Sequence, residues 1–171
     1  MLFRSIKADG TNSNARTSSS AFLNKEEDPV VKKLEDRISQ LLKIDKRQME
    51  PLQVVHYVPG QKYDYHTDWF DKNQPHEAKQ ITKEMGGQRE YTLLIYLNDL
   101  LEEDLAKDKG STCFQQANIC AKPKRGSGVF WKNLENGEVT HNSYHAGIAP
   151  EVSEKYAINV WTREGFFPAL R

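Results

Sequence analysis

The chain has 171 residues, 37% of them apolar and 28% charged, which suits one soluble globular domain with room for a core. Its 24 basic and 24 acidic residues cancel, so it is not built as a whole to neutralise nucleic-acid phosphates or to coat an anionic membrane. No apolar run approaches the roughly 20 residues of a membrane span, and "MLFRSIKADG" lacks the apolar core of a signal peptide.

In chain order, residues 1–27 read as an arm, because "ADGTNSNARTSSS" (8–20) is polar and poor in order-promoting residues, the composition of a loop or extended segment. Residues 28–43 predict a supporting helix: Asp28 can cap it, Pro29 fits the first turn, and Val31, Leu34, Ile38, Leu41 and Leu42 recur at helical spacing. From 51 to 165 the hydrophobic period falls to two. "LQVVHYV", "YTLLIYLN", "SGVFW" and "KYAINVW" are short β-rich segments separated by turn residues, so the sheet region predicts a sandwich or barrel. The polar stretch 71–90 interrupts it with the length of a lid, a binding loop or a disordered insertion. Cys113 and Cys120 cannot form a disulfide framework and lack zinc-finger spacing, and they read as free thiols.

Chemistry first shows in "QKYDYHTDWF" (61–70). On an extended strand His66 and Asp68 project from one face with donor atoms a few ångströms apart, which suits a divalent metal. The pair alone is equally compatible with a polar patch. A third ligand from a distant strand decides between them, and "HNSYHAGIAPEVSEKYAINVWTRE" offers His141 and His145. His145 is preferred for the strand that follows it. In "KYAINVWTR" Tyr156, Ile158 and Val160 form a core face, while Lys155, Ala157, Asn159, Trp161 and Arg163 form a second face that could line a cavity with a fixed cation. Two histidines and one carboxylate match the facial triad of non-haem Fe(II) oxygenases. A cation ten residues after the distal histidine can bind the far carboxylate of 2-oxoglutarate.

The ordered pieces "ARTSSSAFL", "MEPLQVVHYVPGQKYDYHTDWF", "GGQREYTLLIYLND", "GSTCF", "PKRGSGVFWKN" and "SYHAGIAPEVSEKYAINVWTRE" carry a resemblance over nearly the whole chain, from about Arg16 to Arg163. The chain resembles the catalytic domain of 2-oxoglutarate- and Fe(II)-dependent prolyl 4-hydroxylases, of the small type found in algae, bacteria and large viruses. The resemblance implies a mainly β, α+β fold, a double-stranded β-helix or jelly roll with N-terminal flanking helices. It implies that His66, Asp68 and His145 bind Fe(II), that Lys155 anchors 2-oxoglutarate, and that Tyr57 and Thr112 line the cosubstrate pocket. Arg16, Ser18, Glu50, Tyr63, Arg89 and Trp161 match peptide-groove positions. O₂ and 2-oxoglutarate would be consumed, succinate and CO₂ released, and peptidyl proline hydroxylated at C4, with ascorbate as reductant. The implied partner is a proline-rich or collagen-like peptide; nucleic acid and membrane are not expected, a monomer is possible, and a viral or bacterial chain would be cytoplasmic.

Two positions depart from the pattern. Lys109 stands where relatives have a first glycine before Thr112, and Arg163 stands where many carry another polar or aromatic residue. Competing readings are a lysyl or nucleic-acid oxygenase on the same fold, which would favour arginine at the cosubstrate anchor, and a cupin-like binding module, which would lack a ligand.

Overall fold

The structure, a computed structural model, describes residues 3–4, 15–23 and 28–168. Helix α1 (Pro29–Leu42) starts as its sequence requires: the Asp28 carboxylate accepts from Val30 N, and Pro29 occupies the first position, where no amide donor is needed. It ends at Lys43, in the left-handed region at φ 55°, whose N–H returns to Ser39 O. Val31 and Ile38 are buried, whereas Leu41 is 70% exposed. The buried stripe is therefore narrower than the sequence predicts.

The strands are β1 (Phe3–Arg4), β2 (Ser19–Phe22), β3 (Gln53–Tyr57), β4 (Tyr63–His66), β5 (Arg89–Tyr96), β6 (Thr112–Phe114), β7 (Ile119–Ala121), β8 (Gly128–Lys132), β9 (Leu134–Glu135), β10 (Glu138–Val139), β11 (His145–Gly147) and β12 (Lys155–Arg163). A six-stranded sheet runs β1-β2-β3-β12-β5-β8, and a four-stranded sheet runs β4-β11-β6-β7. All pairings among the described residues are antiparallel, and β9 and β10 form a separate small hairpin. The two sheets are the two walls of a jelly roll.

Alternation along the central strands separates two cores. Leu93, Ile158 and Val160 pack with Val31, Ile38, Met49 and Leu52 beneath α1, while Val55, Tyr57, Leu94, Tyr96, Ala157 and Trp131 meet Phe114 of the smaller sheet. The central strands of the large sheet are thus buried on both faces, and the inner face belongs to the space between the sheets.

Two expectations change, on the arm and on the cysteines, and the one on the 71–90 insertion narrows. Part of the supposed arm is sheet, since β2 pairs with β3 from Ser19↔His56 to Phe22↔Gln53; of the remainder, residues 1–2, 5–14 and 24–27 lie outside the described residues. The 71–90 insertion is folded, with helix α2 (Pro75–Ala78) and 3₁₀ turns at Lys79–Ile81 and Lys83–Met85. Cys113 and Cys120 are not free thiols: they are disulfide-bonded across directly opposed positions of β6 and β7. Asn118, at φ 52°, lies in the tight turn that brings the two cysteines face to face.

The departure at Lys109 leaves its turn intact. Gly110 still supplies the left-handed residue at φ 70°, and Lys109 pairs with Glu151 at 3.0 Å. Helix α3 (Glu102–Leu105) precedes it, and the buried Asp104 accepts from the amides of Glu151 and Ser153 at 2.6 and 2.8 Å, fastening the loop that leads into Lys155. No described helix is long and apolar enough to cross a membrane.

Candidate metal centre

His66 ends β4, His145 begins β11, and the two are register partners, which is how residues far apart in sequence come to face each other. Asp68 lies two residues past the end of β4 rather than on the strand, yet its carboxylate faces the same side as His66, with donor atoms a few ångströms apart as the sequence suggests. Ligand atoms of the three residues lie within 4.8 Å of one another. His66 Nε2 is 3.7 Å from Asp68 Oδ1, and His145 Nε2 is 4.0 Å from Asp68 Oδ2. His141 stands outside the cluster, in a 3₁₀ turn, with its ring against Trp69.

Both imidazoles are oriented from behind. His66 Nδ1 lies 2.8 Å from Asp64 O and His145 Nδ1 lies 2.7 Å from Ser143 O. A carbonyl only accepts, so each Nδ1 carries a proton and Nε2 is the ring atom that faces Asp68. Burial, then the neighbouring His145, pushes His66 down to about 3, so it is a neutral imidazole at physiological pH. Burial alone would raise the Asp68 carboxyl, but His145, His66, Arg89 and the Thr92 hydroxyl hold it below its usual range. Two imidazoles that turn Nε2 inward and a carboxylate between them fit a divalent ion.

Behind the carboxylate is a relay that the sequence did not disclose. Thr92 Oγ1 donates to Asp68 Oδ2 at 2.8 Å, and Asn133 Nδ2 donates to Thr92 Oγ1 at 2.9 Å, both fully buried. The one signal was a hydroxyl among the apolar residues of β5.

The cluster opens into a cleft lined also by Tyr57, Tyr63, Thr112, Lys155, Asn159 and Trp161. Lys155 is 2% exposed, and burial draws its ammonium down to about 7. Among the described residues no carboxylate lies within ion-pair reach of it; its neighbours are the rings of Tyr57 and Tyr96, 5.2 and 5.5 Å away. A buried ammonium facing a cleft with no anion of its own fits a ligand carboxylate. The Thr112 hydroxyl shares a 2.8 Å hydrogen bond with Tyr96 Oη.

The remaining positions fall on two rims. Arg16 lies 4.9 Å over the Tyr63 ring, bonds Ser18 Oγ at 3.0 Å, and reaches Gln53 Oε1 at 3.2 Å, which Asn159 Nδ2 also reaches at 3.1 Å. On the other rim Arg89 stacks over Trp161 at 3.7 Å. Its Nε and Nη2 hold both Glu50 oxygens, at 2.7 and 2.8 Å. Glu50 is consequently occupied by arginine rather than presented to the cleft. Trp161 Nε1 is buried without a hydrogen-bond partner.

Residues 52–163 match the 2OG-Fe(II) oxygenase superfamily. The chain belongs to that family. Its cofactor is Fe(II) and its cosubstrate is 2-oxoglutarate. Among relatives of this oxygenase, the prolyl 4-hydroxylase subunit alpha-1 of Rattus norvegicus is 34% identical over 155 residues, 90% of this chain and 27% of the relative. A putative prolyl 4-hydroxylase of Acanthamoeba polyphaga mimivirus is 35% identical over 170 residues, 97% of this chain and 66% of the relative. The chain thus spans about a quarter of the animal subunit. The viral collagen prolyl hydroxylase of Paramecium bursaria Chlorella virus-1, solved with 2OG, matches at a TM-score of 0.68 and 26% identity, over 85% of this chain and 78% of that one.

Proposed function

We propose that this oxygenase works as a single catalytic domain that hydroxylates peptidyl proline at C4. His66 and His145 through Nε2, with the Asp68 carboxylate, would hold Fe(II). The Lys155 ammonium would bind the far carboxylate of 2-oxoglutarate, with Tyr57 and Thr112 on the walls of the same pocket. Bound Fe(II) with its cosubstrate supplies the oxidising power, turning 2-oxoglutarate and O₂ into succinate and CO₂ as one oxygen atom enters the C4–H bond of proline. Ascorbate is the reductant expected to keep the metal ferrous.

The protein's own part is positioning. Tyr63 and Trp161 provide aromatic walls for a proline ring, and Arg89 holds the Trp161 face in place. A proline-rich strand suits such a groove because it is already extended and loses little entropy on binding. The observation that carries the reading is the meeting, in one cleft, of the two-histidine, one-carboxylate cluster, the anion-less buried Lys155 and these aromatic walls. The kinship with prolyl hydroxylases supports proline as the target.

The test is aerobic incubation of proline-rich and collagen-like peptides with Fe(II), 2-oxoglutarate and ascorbate, read by mass spectrometry. One oxygen gained at proline C4, and none when that proline is replaced by alanine, is the expected result. Oxidation of methylated nucleic acid or of lysyl peptides, with proline peptides untouched, would reassign the substrate.

A further inference from the structure

We infer that Arg163 is a positioning residue that latches the 71–88 segment onto the end of β12 and so steadies the groove wall formed by Trp161 and the Arg89 stacked on it. The wall's use by a peptide rests on the prolyl hydroxylase reading; the latch itself does not.

Alternation puts Arg163 on the same face as Trp161, and a register shift between Thr162 and Arg163 skips Glu90 of β5, so that Arg163 pairs with Arg89 at the end of the ladder. Arg163 is 1% exposed. Its Nη1 donates to two backbone carbonyls of the insertion, Gln80 O at 2.6 Å and Gly87 O at 2.7 Å. Its Nε lies 2.6 Å from Glu50 Oε1, a charge contact whose N–H is not aimed along the axis. The guanidinium therefore ties three pieces together: the strand of Lys155 and Trp161, the insertion, and the carboxylate that holds Arg89.

Backbone bonds extend the seam. Gly165 N donates to Gly86 O at 2.8 Å, Glu164 N to Gln88 O at 3.1 Å, and the Glu164 carboxylate accepts from Gln88 N at 2.7 Å. A Cβ at Gly86 would sit 2.8 Å from Phe166 O, so the close approach needs glycine, which also meets the φ of 82°. Phe70, two residues past Asp68, lies against both guanidiniums, 4.6 Å from Arg89 and 5.0 Å from Arg163. The insertion thus returns to the metal centre through Phe70.

Charge balance makes Arg163 separable from the groove's ion pair. Arg89 alone satisfies both Glu50 oxygens, so removing the Arg163 charge leaves Glu50 neutralised and takes away chiefly the two carbonyl bonds. No other described side chain donates to Gln80 O or Gly87 O. A lysine cannot replace the fork, because one ammonium cannot span both carbonyls and Glu50 with the same geometry.

The experiment compares wild type, Arg163→Gln and Arg163→Lys by hydrogen-exchange mass spectrometry without substrate, then by steady-state kinetics with proline-rich peptides. The reporters are the bonded amides of Ala78, Met85, Gly86 and Gly87. At least tenfold faster exchange there, with β3 and β12 amides at the wild-type rate, is expected for Arg163→Gln, and a smaller local increase for Arg163→Lys. Peptide KM should rise at least fivefold while the 2-oxoglutarate KM stays within twofold. Arg163→Lys decides if Arg163→Gln does not fold. Wild-type exchange in the insertion, or acceleration spread evenly over the sheets, overturns the latch. Local acceleration in an enzyme that oxidises no proline peptide keeps the latch and removes the prolyl hydroxylase reading instead.

Discussion

A histidine becomes a ligand through the bond on its far nitrogen, and here both far nitrogens end on backbone carbonyls two residues upstream, Asp64 and Ser143. Replacing His66, Asp68 or His145 by alanine is expected to abolish turnover and to weaken Fe(II) binding in an equilibrium titration. Retained wild-type 2-oxoglutarate decarboxylation in any of the three would remove that residue from the site. Lys155 gives a second expectation. Burial draws it down to about 7, so at pH 8 the unliganded side chain is mostly neutral, and a bound carboxylate restores the ammonium. Binding of 2-oxoglutarate at pH 8 should then take up a proton, and affinity should fall as pH rises above about 7. Calorimetry in two buffers of different ionisation enthalpy measures the uptake; the same apparent enthalpy in both would contradict it.

At the scale of elements, strand existence was legible where a segment is long and buried on both faces, as in β3, β5 and β12, because their apolar residues and the polar cavity face repeat with period two. The smaller sheet was harder to read. β6, β7 and β11 have three residues each, too few for a period, so the cysteines of β6 and β7 could not be seen as opposed. His66, His145 and Lys155 were legible because each sits at a fixed spacing from recognisable neighbours. Thr92 and Asn133 were not, since their role depends on which strands become adjacent. Thr92→Val tests that role: it removes the donor to Asp68 and leaves Asn133 Nδ2 unpaired. Fe(II) affinity should drop about 10- to 100-fold, and an unchanged titration would make the relay purely structural. The β6–β7 disulfide closes a short loop, worth about 2 kcal/mol in the chain-entropy picture. Denaturant unfolding with and without reductant should differ by roughly that amount.

Across the whole molecule, β12 divides stability from chemistry by alternation, with Ile158 and Val160 beneath α1, and Lys155 and Trp161 toward the cleft. Two neighbouring substitutions should therefore move the protein in opposite directions. Ile158→Ala opens a cavity in the helix-side core and should cost about 2–5 kcal/mol, with the 2-oxoglutarate KM within twofold at temperatures where the variant is folded. Lys155→Met keeps an unbranched side chain in the same space, removes a buried ammonium, and should all but eliminate 2-oxoglutarate binding while raising stability. The sign of its pH dependence follows from linkage. The folded pKa is lowered from 10.5 to about 7, so the unfolded chain keeps its proton at pH values where the folded protein has lost it. The penalty of burying Lys155 is therefore complete below pH 7 and fades as pH rises toward 10.5. The gain from Lys155→Met should be largest near pH 6 and shrink toward pH 10, as urea unfolding of both proteins across that range would show. A gain that stays level over the range, or a loss at pH 6, would mean that Lys155 is solvated in the free protein and is not held in wait for an anion.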